Sequence, residues 1–123
     1  MRKKIHLTSA EIKDQQLILY SKEEVDFNAL KATEQVIVDS DQFSFVYLAE
    51  DNDDYVYIYV TKIVWEQLKN ALDKNFKIVA SSGETELILS NIEEELTYLV
   101  GNIEGNSNYG DEFVLAVEEN FIR

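Results

Sequence analysis

Tyr55, Tyr57 and Tyr59 alternate with Val56, Ile58 and Val60, and this period of two constrains the chain more than any other feature. Successive strand residues point to opposite faces, so one face of the segment is aromatic and the other aliphatic. The preceding segment sorts the same way, with Phe43, Phe45 and Tyr47 opposed to Ser44, Val46 and Leu48. Between the two lie Glu50, Asp51, Asp53 and Asp54, which read as the solvated turn of a hairpin whose charges blunt its edges. An odd loop sets the aromatic rows opposite each other, Phe45 near Tyr57, and an even loop mixes the two sets. The odd loop is expected here. In that register the aliphatic row meets the helices and the aromatic row is left on the outer face or in a second layer.

Around this hairpin the other elements fall into place. Two apolar segments flanking Lys13 to Gln15 predict an opening hairpin of Lys4 to Ile12 with Gln16 to Ser21. The stretch from Lys22 to Gln35 reads as a short helix or an irregular crossover. Gln35 to Asp39 and Phe43 to Ala49 read as strand, or as one strand interrupted over Asp39 to Gln42. Val64, Trp65, Leu68, Ala71 and Leu72 fall at helical spacing behind Thr61 as N-cap. A further hairpin turns at Ser81 to Glu84. Ser90 with Glu93 then has the spacing of a capping box that opens a helix through about Asn102, its core face Ile92, Leu96, Leu99, Val100 and Ile103. Gly101 is read as a close-packing position in that helix. Gly105 and Asn106, which tolerate left-handed backbone, end it, and Phe113, Val117 and Phe121 at i, i+4 and i+8 predict a final helix. The expected fold is one α+β domain over residues 1–123. It has an antiparallel sheet of about five to six strands in hairpins, with two to three helices packed on one face.

Composition narrows the chemistry. The formal charge is −13, from 24 acids against 11 bases, a field that disfavours direct binding of nucleic acid, whose phosphates need Lys and Arg. Arg2, Lys3 and Lys4 cluster at the start, and Lys62, Lys69, Lys74 and Lys77 bracket the middle; neither group reverses the field. Hydrophobic content of 46 % belongs to a folded chain, not to an acidic tail. Cysteine is absent, which removes disulfides, thiolate metal sites and cysteine nucleophiles and fits a reduced cytoplasm. No apolar run approaches the ~20 residues that span a bilayer.

The catalytic kit is equally thin. A single histidine, His6, makes a transition-metal site or a Ser-His triad improbable. No phosphate loop, nucleophile elbow or zinc-protease motif stands in the chain, no cofactor is called for, and no catalytic residue is assigned. Asp39 and Asp41 with Glu50, Asp51, Asp53 and Asp54 are candidate ligands for a hard cation, although the spacing lacks the glycine of a calcium-binding loop. Two features suit a protein partner or self-association. One is the row Tyr55, Tyr57 and Tyr59, because tyrosine supplies contact area at low entropy cost; the alternative is ordinary cross-strand packing. The other is the polar loop with Asn106, Asn108 and Tyr109, which reads equally as a helix cap and a turn.

The wording of Val36 to Asp51, of Tyr57 to Leu68 and of Glu93 to Phe121, with the start Met1 to Leu7, resembles the YjbL-like proteins, an uncharacterised family of Bacillus, Staphylococcus and their relatives. The resemblance implies a cytoplasmic single-domain protein of such a bacterium and carries over no functional residue. The leading expectation from the residues themselves is a non-enzymatic interaction domain. Its rivals are acidic docking onto a basic partner and a carboxylate-dependent enzyme or divalent-cation binder.

Overall fold

The computed structural model describes residues 3–122; of the basic cluster Arg2, Lys3 and Lys4, Arg2 lies outside that range. The opening hairpin forms as its pattern requires. Strand β1 (Lys3–Lys13) turns back into β2 (Gln16–Ser21) through Asp14 and Gln15, both with positive φ, at 54° and 62°. The next stretch is a single 3₁₀ turn, Phe27–Ala29, closed by the Asp26 side chain on the Asn28 N–H. It leads into β3 (Lys31–Asp39), which starts earlier than its apolar run suggests. A bulge between Ala32 and Gln35, with Glu34 at φ 67°, lets this longer strand keep Val36 pointing inward. β3 and β4 (Ser44–Asp51) are two antiparallel strands, not one interrupted strand.

The hairpin of β4 with β5 (Asp54–Thr61) departs from the expected register. Its ladder runs on through Glu50 opposite Tyr55 and Asp51 opposite Asp54, which leaves a two-residue loop with Asn52 at φ 57°. The loop is even. Phe45 therefore faces Val60 and Tyr47 faces Ile58, while Val46 faces Tyr59 and Leu48 faces Tyr57. The odd-loop expectation failed because it ended both strands where the charges begin, whereas charged side chains at a hairpin tip can stay in the ladder with their heads in water.

A 3₁₀ turn, Lys62–Val64, leads from β5 into α1 (Trp65–Asp73), which buries Trp65, Leu68 and Ala71. Thr61 stands at the N-terminal position, but its hydroxyl donates to the Leu7 carbonyl at 2.8 Å instead of capping the turn. β6 (Lys77–Ser81) and β7 (Glu86–Ile88) form the third hairpin. α2 (Ile92–Ile103) follows, and Ser90 and Glu93 do not make a capping box: the N-cap is Asn91, left-handed and without a side-chain bond. Ile92, Leu96 and Ile103 are buried, with Leu99 and Val100 packed at the margin. A Cβ on Gly101 would meet nothing within 4 Å, so this glycine is not a close-packing position. Gly105 is left-handed, whereas Asn106 is extended and caps a 3₁₀ turn, Ser107–Tyr109, before α3 (Asp111–Phe121).

These strands make one seven-stranded sheet in the order β3-β4-β5-β1-β2-β6-β7. The sheet is mixed, not antiparallel, and has more strands than expected. β1 runs parallel to β5, and β2 parallel to β6. Hairpins are local and show in sequence; their joining depends on long-range pairing, and here the first hairpin inserts between the second and the third. The sheet curls until its edge strands β3 and β7 touch. Inside the curl, the inner face (Ile5, Leu7, Leu17, Leu19, Phe45, Tyr47, Ile58, Val60, Ile78) shares one core with α1, α2 and α3. This is a single mixed α/β domain.

Candidate docking face

Alternation sends the remaining strand residues to the outside of the curl. There Val46, Leu48 and Tyr59 are buried and Tyr57 packs on them, and no helix residue belongs to this cluster. The side chains cover one another. Tyr59 stands opposite Val46 and donates its hydroxyl to Asp39 Oδ2, on the far side of β4, at 3.0 Å. Its ring thus lies across β4, which accounts for Val46 being only 1 % exposed. Around the cluster, Tyr55 and Ile37 are half exposed, at 50 % and 45 %.

Parallel pairing with β5 brings β1 onto the same surface, with Lys4 beside Tyr57 and His6 beside Tyr59. The His6 ring lies 5.2 Å from the Tyr59 ring, and Lys4 Nζ lies 5.6 Å from it, within the range of a cation–π contact. Glu23 holds His6 from both ends. One carboxylate oxygen accepts the His6 backbone N–H at 2.8 Å, and the other lies 2.6 Å from Nδ1. Burial works to raise the Glu23 carboxyl, but the two hydrogen bonds from His6 outweigh it and hold the group below the usual glutamate value. A continuous line of contacts, Glu23 to His6 to Tyr59 to Asp39, therefore crosses four strands. Lys4, His6, Ile37, Val46 and Leu48 were not among the sequence candidates, and the parallel register that gathers the first two is not visible in local patterning.

The other candidates sit elsewhere. Asn106 spends its side chain locally: Oδ1 accepts from the Asn108 N–H at 3.0 Å, and Nδ2 donates to the Asn102 carbonyl at 3.3 Å. Tyr109 packs on Phe113, with ring centroids 6.2 Å apart, and lines one cleft with Asp41 and Phe43 of the β3–β4 turn. The six acids are not brought together. Asp39 and Asp41 lie at one end of β4, and Glu50, Asp51, Asp53 and Asp54 at the other, roughly 20 Å away at the rise of a strand. Among the described residues no three or more histidines or acids converge as a metal site.

Side chains near both ends of the sheet take up backbone N–H groups. Glu95 of α2 accepts the Val36 N–H of β3 at 3.3 Å. Ser82 and Thr85, in the turn before β7, accept the Val25 and Phe27 N–H groups. Among the described residues, no helix residue joins the apolar cluster on the outer face. Many acids likewise have local tasks. Glu93, Glu94 and Glu95 open α2, and Asp111 and Glu112 open α3, where a helix N-terminus favours negative charge. Glu118 accepts the Gly105 N–H at 3.0 Å. Among the described residues no helix is long and apolar enough to cross a membrane.

The chain matches, over residues 5–121, the model of a family of unknown function, UPF0738. UPF0738 proteins of Bacillus cereus, Bacillus mycoides and Bacillus cytotoxicus are each 37 % identical to it over 123 residues, covering 99 % of this chain and 100 % of theirs. No solved structure matches. An uncharacterised family with Bacillus members is what the resemblance implied, under a different name.

Proposed function

We propose that this chain, which belongs to the UPF0738 family of unknown function, is a protein-interaction domain that docks a partner protein on the outer face of its sheet. One observation carries the reading: the apolar cluster of Val46, Leu48, Tyr57 and Tyr59 lies on the side that no helix covers, with Tyr55 and Ile37 half exposed beside it. Aromatic residues set in a partly desolvated patch are the usual anchors of protein interfaces. The partner is a different protein, not a second copy, because two chains of charge −13 repel each other. A cytoplasmic location belongs to the same reading and is supported by the absence of cysteine.

Purely electrostatic docking onto a basic protein has less support, since the acids at helix starts and backbone N–H groups already serve the fold. The test compares capture from a Bacillus lysate by the tagged chain and two variants. Tyr55→Ser removes a half-exposed anchor from the face, and Tyr98→Ser removes a more exposed tyrosine, 68 % accessible, from α2. A protein retained at high salt by the parent and by Tyr98→Ser but lost with Tyr55→Ser is the expected result. Equal capture by all three, or none, overturns the reading.

A further inference from the structure

We draw no further inference here: the strongest candidate, the apolar row of Ile18, Val79 and Ile88 across strands β2, β6 and β7, points away from the core that takes Ile78 and Ala80 and leaves Ile88 half exposed, but nothing in the structure shows what covers it.

Discussion

Phe45 and Tyr59 stand on adjacent strands of one hairpin, and the structure uses them in opposite ways. Phe45 points into the curl and meets Trp65, Phe121 and Phe113 at centroid distances of 5.2, 5.7 and 6.4 Å. Tyr59 points out, lies along the sheet and is tethered by its hydroxyl to Asp39. Both are nearly inaccessible, at 0 % and 6 %, but for different reasons. Phe45 is enclosed by a second layer, whereas the described residues that cover Tyr59 are neighbours on its own sheet. Burial by a second layer is part of the cooperative core; burial by lateral cover leaves a surface that a partner can reach. The same residue class therefore stabilises on one face and is available for recognition on the other.

The widest separation between the faces should appear on truncating Trp65. Its ring sits among Phe45, Phe113 and Phe121, and its indole N–H donates to the Val60 carbonyl at 3.1 Å. Trp65→Ala removes the ring and that bond together, and the expected loss is about 3–5 kcal/mol, read from the urea midpoint at unchanged slope. On the outer face, Tyr59→Phe removes the hydroxyl that tethers the ring to Asp39 and should cost about 0.5–1.5 kcal/mol by the same measurement. Equal losses from the two substitutions would mean that the outer cluster is as much a part of the core as the inner one, and the contrast between them would collapse.

How far this division could be read in the sequence depends on the range of the interaction. The β1–β2 and β6–β7 hairpins and the inward stripes of α1 and α3 were legible, because each is written in the spacing of near neighbours such as Phe113, Val117 and Phe121. The mixed sheet was not, because the pairing of Ile5 with Ile58 joins residues more than fifty positions apart. The β4–β5 register failed for a subtler reason. Glu50, Asp51 and Asp54 look like loop yet lie in the ladder, and ending the strands before them changes the loop from two residues to five and its parity with it. That one step decides which aromatics face inward. The tyrosine row was legible as a row, but its setting beside Lys4 and His6 was not.

The finest distinction between the faces lies in how the outer one responds to acid. The inner face holds no ionised side chain among its buried residues, so acid reaches the fold through groups such as Glu23, whose two hydrogen bonds fix His6 against Tyr59. Glu23 has a folded-state pKa below 4.5, its ordinary value. A group of this sign contributes stability that is fully present above the unfolded value, and the contribution is lost as pH falls through the folded one. A carboxyl titration followed by NMR should therefore place the Glu23 midpoint below 4.5. Protonation should shift His6 resonances on the same curve while Trp65 stays unmoved. With Glu23→Gln the His6 shift should lose the component that follows Glu23. A midpoint at or above the ordinary value, or a Trp65 signal that moves with Glu23, would show that the outer face is not titrating as a separate layer.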